Sequence, residues 1–150
     1  MRILQIVSAV IILLSVSPSF AEDLVTKPSP HTVAMTMDKL VAAVESAGAK
    51  VFARVDHAAG ASSVGMELRP TQLLIFGNPK LGTPALQAGQ TSGLDLPLRV
   101  VVYKDKNDQV FLAYHAPSEL SRDHDIPANA EVLKKMTGAL NKLTNKAIGQ

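Results

Sequence analysis

Residues 1–21 read as an export signal, and the 150-residue chain contains no cysteine. Together these two features set the terms of folding. Disulfides are common in exported proteins, but a domain this long does not need them. Arg2 supplies a positive n-region, residues 3–16 a mostly apolar h-region, and Pro18 a helix break. Ser19-Phe20-Ala21 puts small residues at the −3 and −1 positions of a signal-peptidase site, so cleavage is expected after Ala21, with the mature chain starting at Glu22. The expected address is periplasmic or secreted. An uncleaved membrane anchor fits less well, because about 20 apolar residues are needed to cross a bilayer. A lipid anchor would need a cysteine.

The rest divides into a polar, Pro-bearing stretch at residues 22–32 (with Lys27-Pro28-Ser29-Pro30), a flexible leader or the start of an edge strand, and a single domain at residues 33–150. Hydrophobic residues make up 47% of the chain, enough for a real core. The net charge is +2, and Arg2 in the signal accounts for one of those charges, so electrostatics gives no case for nucleic acid. No later stretch predicts stable membrane insertion. Aromatic residues are 4% and Trp is absent, which argues against a sugar-stacking platform. Without Cys there is no thiol redox chemistry, thiolate nucleophile, Fe–S cluster or covalently attached c-type haem.

Local patterns predict the elements. Thr36 reads as an N-cap for a helix over residues 37–47, with Gly48 just past its end. A strand follows at 51–56, then an Ala/Gly/Ser-rich stretch at 57–66 that is a loop or a short helix. Residues 71–76 form a short apolar run closed by Gly77-Asn78-Pro79, which predicts a buried central strand. Thr83 and Pro84 read as N-cap and N1 of a helix over 84–90. Residues 98–103 are the clearest strand, joined through Asp105-Lys106-Asn107-Asp108 to a return strand at 109–115. Pro117 opens a short helical turn. Asn129 caps a last helix whose apolar stripe is Val132, Leu133, Met136, Leu140, Leu143 and Ala147. The predicted class is α+β, a mixed or antiparallel sheet of about four to five strands with helices packed on one face.

One stretch is more specific. Phe52 to Gly60, Leu68-Arg69-Pro70-Thr71 running through Phe76, Gly77-Asn78-Pro79-Lys80, and Gly82-Thr83-Pro84 occur in an order that resembles the DUF302 family, a domain of unknown function. Leu94 to Pro97, the hairpin, and Tyr114-His115 with Pro117 extend the resemblance over about residues 33–125. It implies a compact α+β domain and a homodimer. It implies no activity.

Several constellations could carry chemistry. The segment from Gly77 to Pro84 joins a strand to a helix N-terminus beside Lys80, which suits an anion, although turn chemistry alone also explains it. Its spacing is neither a phosphate loop nor a dinucleotide fingerprint. Asp56-His57 could supply acid–base chemistry, or His57 could bond the following loop. The histidines His31, His57, His115 and His124 show no zinc spacing, so a metal or haem site would need His57 or His115 to converge with other donors in the fold. Asp123-His124-Asp125 reads as a solvated loop. Met35 and Met37 have the spacing of a Cu(I) thioether pair, yet Met37 belongs to an apolar face. No Gly-x-Ser-x-Gly elbow is present.

The leading expectation is an exported, non-catalytic domain that binds a small anionic or polar ligand, or a partner, as a homodimer. Its cleft would be edged by His57, Arg69, Asn78, Lys80 and Thr83. The alternatives are a periplasmic metal- or haem-binding protein using His57 or His115, and an enzyme working through Asp56 and His57. The sequence names no cofactor.

Overall fold

The computed structural model describes residues 24–150, so the export signal and its cleavage site lie outside the described residues. The elements are β1 (Leu24–Ser29), α1 (Val33–Ser46), β2 (Lys50–Asp56), α2 (His57–Ser63), β3 (Thr71–Gly77) and α3 (Pro79–Ala88). A 3₁₀ turn (Gln90–Leu94), β4 (Leu98–Lys104), β5 (Val110–His115), α4 (Ser118–Asp123) and α5 (Glu131–Ile148) complete the chain. The strands lie in the order β1-β5-β4-β3-β2, each neighbouring pair antiparallel. The α+β expectation thus resolves into a five-stranded, wholly antiparallel sheet.

Strand alternation separates the two faces. Leu74 and Phe76 of β3, Val100 and Val102 of β4, and Leu112 and Tyr114 of β5 are buried against α1 and α5. Those helices contribute Met37, Leu40 and Val44, and Leu140, Leu143 and Ala147. The alternate residues Leu73, Ile75, Val101, Tyr103 and Phe111 are only half-buried on the opposite face. A second, smaller core joins α3, α4 and α5 through Ala85, Leu120, Ile126, Leu133 and Met136.

Residues 24–29, a flexible leader or the start of an edge strand by sequence, form the edge strand β1, paired along its whole length with β5. Three boundaries differ from the sequence expectation, each for a physical reason. Helix α1 begins at Val33, three residues before the expected cap residue. Thr32 is the cap, accepting from the Met35 amide, and Thr36 is buried one turn inside. Helix α3 begins at Pro79 because the Asn78 side chain caps it, and the helix absorbs Pro84 in its interior. Pro84 has no N–H to donate back along the helix. Helix α5 starts at Glu131, and Ala130, rather than Asn129, is its cap, with no side-chain hydrogen bond. The stretch after β2, loop or short helix by sequence, is helix α2.

Candidate functional site

The corner where β3 runs into α3 holds an open cavity of about 250 Å³. Its walls are apolar: Phe52 from β2, Leu81 and Leu86 from α3, Leu96 and Leu98 flanking Pro97, and Met136 from α5. Gly77 keeps the corner open. A Cβ there would come 3.3 Å from the Pro97 Cβ and 3.7 Å from the Phe52 ring. Asn78 and Thr83 are the polar residues on the wall. An adjoining cavity of about 220 Å³ shares Gly77, Asn78, Leu81 and Leu98 with the first, and Lys80 lines it.

Three of the five expected cleft residues, Asn78, Lys80 and Thr83, therefore meet at this corner. The other two lie elsewhere. Asp56, just before His57, pairs with Gln72 at the start of β3, and Arg69 precedes that strand. Both His57 and Arg69 are thus about a strand length, roughly 20 Å, from Asn78. The Arg69 Nε donates to the Lys104 carbonyl at 3.2 Å, beside the β4–β5 hairpin.

The start of α3 has no amide left for an anion. Asn78 Oδ1 accepts from the Lys80 amide at 2.9 Å, and the Asn78 carbonyl accepts from the Leu81 and Gly82 amides at 2.9 and 2.8 Å. Pro79 has no N–H. The Asn78 carboxamide nitrogen in turn donates to the Gly48 carbonyl at 3.3 Å. Cationic side chains are what this corner offers an anion. Lys80 is one. Lys50 is the other, its ammonium 5.5 Å from the centre of the Phe52 ring. Lys50 pairs with Gly77 across the β2–β3 ladder, which fixes it at the same corner.

The acid–base reading finds Asp56 engaged in structure. Its Oδ1 accepts from the Ala59 amide at 2.9 Å as the cap of α2, and its Oδ2 accepts from Gln72 Nε2 at 3.0 Å. The bond from Ala59, with help from Gln72 and Arg54, holds its carboxyl below the usual range. The metal reading finds His57 and His115 apart. Strands β3 and β4 separate their strands, a lateral gap of about 14 Å. His115 Nδ1 lies 2.9 Å from Glu119. Among the described residues no group of three His, Cys, Asp or Glu side chains is placed to hold a metal ion. Met35 is half exposed while Met37 is buried, so the two thioethers do not face one site.

One cluster was not legible as such. His124, expected in a solvated loop, is buried, with Nε2 2.6 Å from Asp95 and Nδ1 3.0 Å from the Thr91 hydroxyl. Asp95 also accepts from Arg99 at 2.8 Å. This network fastens the 3₁₀ turn, and the Leu96–Leu98 wall that follows it, to the end of α4. Only its separation in sequence hid it: Asp95 and His124 are 29 positions apart.

A family model described as a domain of unknown function, DUF302, matches residues 25–143. The crystal structure of an uncharacterized conserved DUF302 protein from Bacillus stearothermophilus superposes with a TM-score of 0.76 at 20% identity, covering 85% of this chain and 99% of that one. At that identity the likeness concerns the fold. A protein of Brucella suis named fluoride-specific ion channel FluC 1 is 41% identical over 127 residues, which is 84% of this chain and 50% of that protein. Its namesake in Brucella abortus is 41% identical over the same length, covering 47% of that protein. The chain spans about half the length of these relatives.

Proposed function

The chain belongs to the DUF302 family, and on that premise we propose that it is an exported, non-catalytic binding domain whose ligand site is the cavity at the β3–α3 corner. The observation that carries this reading is the cavity itself, lined by apolar walls, open to solvent on one side and close to the lower end of small-ligand sites. The commitment of Asp56 to capping supports a binding role over acid–base catalysis. Native mass spectrometry of the exported protein, with metal analysis on the same sample, tests it. The expected result is an N-terminus at Glu22 and a small organic mass that Leu86→Trp displaces by filling the cavity. Stoichiometric metal instead, lost in His115→Ala, would replace this reading with the metal-binding one.

A second reading follows from the half-length match to proteins named as fluoride channels. An ion pathway through a membrane needs spanning segments. No helix among the described residues is long and apolar enough to cross a membrane. On this reading the domain accompanies a fluoride channel without forming its pore. Deleting the gene should then raise sensitivity to fluoride and leave chloride tolerance unchanged. Equal growth in fluoride would remove this reading and leave the cavity untouched.

A further inference from the structure

We propose that the cavity at the β3–α3 corner takes a small amphipathic carboxylate, with its apolar body inside and its carboxylate at the rim between Lys50 and Lys80. This rests on the reading of that cavity as the ligand site.

Three observations converge on this chemistry. The first is size and polarity. A cavity of about 250 Å³ lies between the about 150 Å³ that accommodates benzene and the about 300 Å³ at which drug-sized sites begin. That suits one aromatic ring with a short substituent, or a chain of about eight carbons. The interior offers such a body few polar partners, because Asn78 is already engaged as the cap of α3. A sugar or nucleoside would leave its hydroxyls buried and unpaired there.

The second observation is charge. Lys50 stands over the Phe52 ring, which is a wall of the cavity, and Lys80 lines the adjoining one. No Asp or Glu lines either cavity. Neither lysine makes an ion pair among the described residues. Two ammonium groups without an ion pair, one against a wall residue of the cavity and one lining its neighbour, complement an anion with an apolar tail.

The third is what the corner withholds. The first-turn amides of α3 are satisfied internally. No arginine lines either cavity, so the fork that grips a phosphate in two places is missing. Two separate point charges can each meet one oxygen of a carboxylate head.

Octanoate, octanol and butyrate separate these elements. Binding is followed by calorimetry and by the methyl signals of Leu86 and Met136. Octanoate is expected to bind and shift both methyls. Octanol, with the same chain and no charge, should bind about fivefold more weakly, the scale of exposed ion pairing. Butyrate, with the same head and a shorter body, should bind more weakly still. Lys50→Gln with Lys80→Gln should bring octanoate down to the octanol affinity and leave octanol unchanged. Both lysines are exposed, so the variant is expected to keep the wild-type melting temperature. If octanol matches octanoate in the wild type, the carboxylate inference fails and the cavity reading survives. If neither shifts the methyls, the cavity is no ligand site and both fall.

Discussion

Burial of His124 with two polar partners makes it the most constrained imidazole among the described residues. Its hydrogen bond to Asp95, more than any other contact, holds the Asp95 carboxyl below the usual range. A native value below the unfolded one stabilises the fold above the unfolded pKa of about 4, and that contribution disappears as pH falls through the native value. Melting curves should therefore show wild type more stable than Asp95→Asn at pH 7, the gap closing below about pH 4. A gap that stays constant to pH 2 would mean the carboxylate charge contributes nothing. The same junction is tight at Gly89, where an added Cβ would collide with the His124 carbonyl and press on Ile126. Gly89→Ala is expected to cost about 1–3 kcal/mol in urea unfolding, as overpacking does. At this scale the sequence was only partly legible. Asn78, Lys80 and Thr83 are grouped by a local turn, which short-range reading can find. Lys50, Phe52 and Met136 join the site through strand pairing and helix packing across long separations, which no local pattern encodes.

Elements defined by their own periodicity were the readable ones. The stripe of α5 and the β4–β5 hairpin carry their signals within a few residues of sequence, and both stand where expected. Strand β1 carries no such signal, since Lys27 and Pro28 are poor strand formers. Its stability comes from elsewhere. The Lys27 ammonium donates to Asn141 at 2.6 Å, Thr144 at 2.9 Å and Asn145 at 2.6 Å, all on α5, and lies 5.9 Å from the Tyr114 ring. Partial burial without a carboxylate partner lowers its pKa. Pro28 fits because β1 is an edge strand. Lys27→Met should destabilise the protein by about 1–3 kcal/mol through lost charged hydrogen bonds. Amide exchange should quicken in β1 and β5 more than in β2 and β3. Uniform quickening would show that the tie is not local to this edge. The onset of α3 was misplaced for the opposite reason: Thr83-Pro84 is a sound local start signal, and the Asn78 cap supplies an earlier one.

For the molecule as a whole, one sheet face is covered by helices and the other is an apolar, half-exposed plane. Leu73, Ile75, Val101, Tyr103 and Phe111 form its centre, and the Tyr103 and Phe111 rings stack at 5.8 Å. Apolar patches of this kind are characteristic of interaction surfaces. We propose it as the homodimer face, which Val101→Arg tests. Sedimentation is expected to show wild type as a dimer and the variant as a monomer, and a monomeric wild type would discard the proposal. The strand order carries one more consequence, in time rather than in space. Strand β1 is made first, but its partner β5 ends at residue 115. The first strand to leave the ribosome is thus the last able to join the sheet, with a long loop to close before it does. The bare edge of β5 waits for it, and any delay in that final step leaves an unpaired strand open to a neighbouring chain.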